Sequence, residues 1–323
     1  MRPPNTVFLA TAALLFGCSS SPGAGAGGAG GSAGAGGAGG GTGGAAGSPN
    51  AIVGGFAVEL KSAFTAVTGS VASGPRPEAV ILKVVDEVGS CRLRTPRVPF
   101  CNIPCGGDAI CADDDKCLPS PKAQNLGVVK VKGLGAAEFS MDPIQGTYSP
   151  SGDVMLPSPP CPEGAAIEIQ TAGGVYRPFV LQAKGITPLT VAGAGPIAVA
   201  AGQPLQLQWT PPGDASFSRI KVRLDLSHHG GKKGEIECDV PDNGALEIPG
   251  SMIGKLIALG TAGFPTVYVT RFSAGDALIE PGRVTLEVSS TIDRELQVPG
   301  VVSCMEDSEC PPGKTCQVDK TCR

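Results

Sequence analysis

Residues 220–226, Ile-Lys-Val-Arg-Leu-Asp-Leu, alternate apolar and charged without a break. That period of two puts one face in a core and the other in water, which predicts a half-buried strand. Leu205, Leu207 and Trp209 repeat the device, and so do residues 283–288. Residues 266–272 are rich in β-branched and aromatic side chains and predict a further strand. Earlier in the chain, 56–60, 65–71, 80–85, 128–131, 167–171 and 179–181 read the same way, divided by Pro and Gly. Gly230-Gly231-Lys232-Lys233-Gly234 lies between two strand patterns and predicts a hairpin loop. Residues 249–259 alone carry helical spacing, with Ser251 as the expected cap and Ile253, Leu256 and Ile257 on one face. Short strands with frequent turns predict an all-β protein.

The alternation stops at the amino-terminal end. Residues 19–50 are almost wholly Gly, Ala and Ser. Such a tract has nothing to bury and predicts a flexible tether, with a root-mean-square reach of roughly 30 Å from about 5–6 Å times the square root of its length. Before it, Arg2 supplies a positive start, residues 7–16 form an apolar run too short to span a bilayer, and Gly17 is small. The run Leu15-Phe16-Gly17-Cys18 resembles the lipobox of bacterial lipoproteins. The resemblance implies a signal peptide over 1–17 and acyl chains on Cys18, and two or three chains anchor firmly. Ser19 rather than Asp after that Cys implies, by the same resemblance, sorting to the outer membrane.

The remaining chain is long enough for two ordinary domains. The expected division falls near 187–195, giving β-sandwich domains at 51–188 and 189–300 and a cysteine-rich motif at 301–323. Trp209-Thr210-Pro211-Pro212-Gly213, followed by the alternating strand, resembles the start of a fibronectin-III or immunoglobulin-like domain. In such folds a buried Trp fills the space between two sheets.

Of the twelve cysteines, eleven remain once Cys18 is set aside, and an oxidising compartment tends to pair them. Cys304, Cys310, Cys316 and Cys322 are each separated by five residues. Their segment resembles the repeat of Dickkopf-type cysteine-rich regions and of many myxobacterial surface lipoproteins. So short a piece has no core of its own, so two disulfides must hold it. Cys101, Cys105, Cys111 and Cys117 form a related cluster among Pro and Gly, within an expected insertion at 91–117. Four thiols can hold zinc, but the C-x2-C knuckle is missing and exported thiols are usually oxidised. Asp113-Asp114-Asp115 offers carboxylates for calcium, without the Gly and Glu of a calcium loop. Cys91, Cys161 and Cys238 remain. An odd number predicts one thiol outside any disulfide, with Cys238 the candidate as a small buried hydrophobe.

Charge and chemistry narrow the function. The net charge of −4 and the lack of a dense Lys/Arg cluster argue against nucleic-acid binding. The two histidines, His228 and His229, are adjacent at an expected strand end and so predicted to face opposite ways. No nucleophile elbow, phosphate-binding glycine loop or zinc motif accompanies them. A pair of carboxylates brought together by the fold remains open. The expectation is a protein that is not an enzyme and needs no cofactor or metal. It would be held at the outer membrane by acyl chains and meet a protein or polysaccharide partner in adhesion or structure, the alternative being a glycan-binding or hydrolase-associated module of the envelope. Trp209, Tyr148, Tyr176 and Tyr268 are few for sugar stacking, which favours protein contact or envelope structure. The whole pattern resembles lipoproteins of myxobacteria.

Overall fold

A computed structural model describes residues 50–135 and 137–323. The expected signal segment, Cys18 and nearly all of the tether lie outside the described residues.

The described chain is almost entirely strand. In order come β1 (Ile52–Leu60), β2 (Thr65–Val71), β3 (Ile81–Val88), β4 (Cys91–Arg97), β5 (Ala109–Asp113) and β6 (Lys116–Pro119). β7 (Val129–Lys132), β8 (Phe139–Met141), β9 (Thr147–Tyr148), β10 (Ala166–Thr171), β11 (Val180–Lys184) and β12 (Ile197–Ala198) follow. The last are β13 (Leu205–Gln208), β14 (Arg219–Asp225), β15 (Glu235–Pro241), β16 (Ala245–Ile248), β17 (Thr266–Ile279) and β18 (Gly282–Gln297). One helix, α1 (Gly250–Ala258), lies between β16 and β17.

A ten-stranded sheet forms the frame, in the order β3-β4-β15-β14-β17-β18-β1-β2-β9, with β12 beside β18. Its strands come from both sides of the division expected near 187–195. β1 pairs in parallel with β18, more than two hundred residues later, and antiparallel with β2. The sheet is therefore shared between the two halves of the chain, where two sandwiches in succession would each keep their own.

One face of this sheet is covered and the other is open. β17 and β18 form a long hairpin whose inward residues serve two hydrophobic cores in turn. Ala277, Ile279, Val284, Leu286 and Val288 pack into the first, with β1, β2 and the four-stranded sheet β11-β10-β7-β8. Val267, Val269, Ile292 and Leu296 pack into the second, with β14, β15, the β13–β16 ribbon and α1. Close approach is needed in the first core. A Cβ on Gly275 would come within 1.8 Å of the Gln182 carbonyl oxygen, and one on Gly69 within 2.1 Å of the Phe56 ring. Both sites need glycine for its missing side chain.

A polar belt separates the two cores. Arg271 and Asp242 form an ion pair with side-chain exposures of 1% and 0%. All five guanidinium donors are used, on the Asp242 carboxylate and the carbonyls of Thr187, Pro188 and Thr210. Asp242 also accepts from the Trp209 indole at 2.8 Å and the Ser218 hydroxyl at 2.9 Å. Ser290 accepts the Leu189 amide at 3.0 Å. The segment expected to divide two domains is thus bonded to the middle of the hairpin. A buried charge is tolerated when its bonding capacity is filled in this way.

The helix forms where its spacing predicts, and Ile253 and Leu256 are buried with Met252. Ser251 does not cap it. The cap position is Pro249, and the Pro249 carbonyl accepts the Met252 and Ile253 amides. Proline presets the backbone angle that begins the turn.

Candidate functional site

The open face of the main sheet is the broadest candidate surface. Alternation sends polar residues out along every strand, and register lines them into rows. One row runs Glu87, Arg92, Glu237, Arg223, Tyr268, Asp293 across six strands. Opposite charges alternate along it, and the Arg223 guanidinium lies 4.4 Å from the centre of the Tyr268 ring. One row on, Lys221 sits 5.0 Å from the centre of the Phe272 ring. Such pairs hold half-buried aromatics flat on the sheet. Towards β2 the face becomes a shallow groove of about 600 Å³, floored by Gly55, Ala57, Thr68, Ser70 and Thr285, with the Glu287 carboxylate at its side.

Near the β14–β15 turn the fold assembles groups that strand alternation keeps apart. His229 has a positive φ of 63°, so the two imidazoles lie 3.9 Å apart instead of facing opposite ways. His228 Nε2 lies 3.2 Å from the Tyr268 hydroxyl. Asp225 stands directly opposite Glu235 in the ladder. This is the carboxylate pair that the sequence left open. Their exposures are 8% and 1%, and each is committed: Asp225 accepts the amide and hydroxyl of Ser227, and Glu235 meets Arg94 and Lys232. The ladder fixes this pairing and could have been anticipated once residues 220–226 and 235–238 were read as one hairpin.

Among the described residues, ten cysteines form five disulfides. In the middle of the chain Cys101 pairs with Cys111 and Cys105 with Cys117. At the end Cys304 pairs with Cys316 and Cys310 with Cys322. Both modules join first to third and second to fourth. In both, the last two cysteines face each other across a hairpin, and the residue two before the last has a left-handed backbone, Asp115 at φ 56° and Lys320 at φ 60°. Three sulfurs in each module lie within 4.8 Å of one another because two disulfides stand side by side. They are bonded to each other, which leaves no thiolate to hold zinc. The acidic run serves the loop itself: Asp113 and Asp114 bind Arg97, Asp114 accepts the Phe100 amide, and Asp115 accepts from Asn102.

The fifth disulfide corrects the expectation for Cys238. It pairs with Cys91 across β15 and β4, buried in the second core, to which Trp209 also belongs. Cys91 is therefore part of the main sheet and not of the cysteine-rich loop. Cys161 lies outside the five disulfides and is buried in the first core. Trp209 is buried as expected. Tyr148 is buried and accepts the Leu126 amide, while half-buried Tyr176 donates to the Ala72 carbonyl.

Thr187, whose carbonyl belongs to the polar belt, reaches another tie through its side chain. The Glu163 carboxylate accepts the Thr187 hydroxyl and the Asp214 amide. These bonds, with the Thr187 hydroxyl foremost and Arg271 adding its charge, hold the carboxyl below its usual value of 4.5. Among the described residues, no helix is long and apolar enough to cross a membrane. No protein-family model matches the sequence, and no curated protein matches it.

Proposed function

We propose that this chain is a lipid-anchored protein of the bacterial cell envelope, acylated at Cys18, that works by binding or structural support without catalysis. The five disulfides carry the reading, since such a set persists in exported proteins and not in a reducing cytosol. The lipobox-like run and the Gly/Ala/Ser tract before the body agree with it. Two cores under a shared sheet support reading the body as two β-sandwich halves of immunoglobulin-like character. The open sheet face is the surface we assign to contact with an envelope or cell-surface protein. Tyr268 and Phe272, set four residues apart on that face, favour polysaccharide as the second reading.

Metabolic labelling with a palmitate analogue tests the anchor. Label should enter the wild-type chain and be absent from Cys18→Ser. Label persisting in the variant would overturn the anchor. Protease treatment of intact and lysed cells then distinguishes surface exposure from a periplasmic position.

A further inference from the structure

β3 ends the main sheet, and among the described residues nothing pairs with its outer edge. Open edges are normally blunted by charge or cover. This one is apolar. Val84, Val85 and Val88 are 44%, 55% and 40% exposed. Val80 and Val98, at the end of the β3–β4 hairpin, are exposed as well, and Phe100 and Ile103 stand 67% and 82% exposed on the disulfide-held loop that follows. Seven large apolar side chains crowd into residues 80–103 of a protein whose other exposed hydrophobics are scattered. A concentration of that kind marks an interaction surface.

The sequence of the edge is self-complementary. Register against β4 puts Ile81, Lys83, Asp86 and Val88 on the covered side of the sheet and Leu82, Val84 and Glu87 on the open side, with a bulge between Val84 and Asp86. The extra residue, Val85, has no partner in β4. Consider a second β3 laid antiparallel, related by a two-fold axis between Val84 and Val85. Ile81 then meets Val88, Lys83 meets Asp86 and Val84 meets Val85, and each pair occurs twice. In these three pairs apolar faces apolar or charge faces opposite charge, Leu82 meets Glu87 in the fourth, and the bulges coincide at the axis. The ion pair of Asp86 is with exposed Lys255, and Lys83 has no ion pair among the described residues. We infer that β3 and its apolar flank form the interface between two copies of this chain, joined edge to edge through a two-fold axis.

Charge reversal tests the register itself. The full chain is used with Cys18→Ser, so that no acyl group drives association. Sedimentation equilibrium should show a reversible monomer–dimer exchange. Lys83→Glu sets Glu against Asp86 twice, and Asp86→Lys sets Lys against Lys83 twice. Each variant alone should dimerise at least tenfold more weakly. Mixed together they should form a heterodimer, since every contact is then opposite in charge, and this restoration also shows that both variants are folded. Phe100→Ser should weaken the wild-type dimer in parallel. A chain that stays monomeric at all concentrations overturns the inference. So does a dimer that neither reversal weakens, or one that mixing fails to restore.

Discussion

Arg271 sits at the centre of the polar belt between the two cores. Its charge is buried with Asp242, and together they bond three further stretches of the chain, at 187–188, 209–210 and 218. Removing one partner strands the other. Arg271→Met should therefore cost about 3–5 kcal/mol, while Arg271→Met with Asp242→Leu should recover part of the loss; urea unfolding of the two variants checks this. Glu163 gives a pH signature at the same scale. Its carboxyl is depressed when folded, so its contribution is complete above about the ordinary value of 4.5 and is lost as pH falls through the lower folded value. Melting temperatures of wild type and Glu163→Gln should differ most near neutral pH and converge in acid. Much at this scale was legible in the sequence. Trp209 was readable as core from its alternation with Leu205 and Leu207. Arg271 was not, because it sits on the buried face of a strand whose pattern marks that position as inward, where a charge is expected only if something distant satisfies it. Cys238 shows the limit of cysteine arithmetic: an odd count predicts a leftover thiol, but the ladder chooses which one.

Elements repeat in this molecule in a way that spacing only hinted at. The two cysteine modules share connectivity, hairpin and left-handed turn, yet differ in setting. Cys304 and Cys322 of the last are buried against the body, where Gly263 bonds to Asp319 and Ser303. The middle one stands exposed. Each disulfide closes a loop of 10 or 12 residues, worth about 3 kcal/mol on a chain-entropy reckoning. The β4–β15 disulfide spans 147 residues instead and holds the β3–β4 hairpin to the rest of the sheet. Cys91→Ala with Cys238→Ala should cost about 2–5 kcal/mol in urea unfolding. Hydrogen exchange in that double variant should speed up first in β3 and β4. If protection were lost evenly over all strands, the disulfide would not be a local fastening. The strands themselves were largely readable from period-two alternation. β4, with Arg92, Arg94 and Arg97 among its seven residues, was not, because its polar face dominates and its apolar face is only Cys91 and Leu93.

At the scale of the whole molecule, order along the chain and order in space part company. Local alternation identifies strands but carries no address for their partners, so nothing in residues 52–60 announces pairing with residues 283–289. The sheet takes strands from both sides of the division expected near 187–195. Separate pieces 51–188 and 189–300 should therefore fail to give cooperative thermal transitions, because each lacks neighbours that its strands need. Two independent, sharp transitions would contradict a shared sheet. Folding should also be slow, since the closing contact between β1 and β18 bridges most of the chain.

The position of β1 has a mechanical meaning. It lies between β18 and β2, with seven residue pairs on each side. Ladder hydrogen bonds run across the strands, so a pull on residue 50 along the strand axis loads both ladders in shear, all bonds at once, and does not peel them singly. A body tugged from its amino-terminal end would meet that load with a strand clamped on both sides, and its lifetime under tension would be set by the unfolding rate of the clamp as a whole.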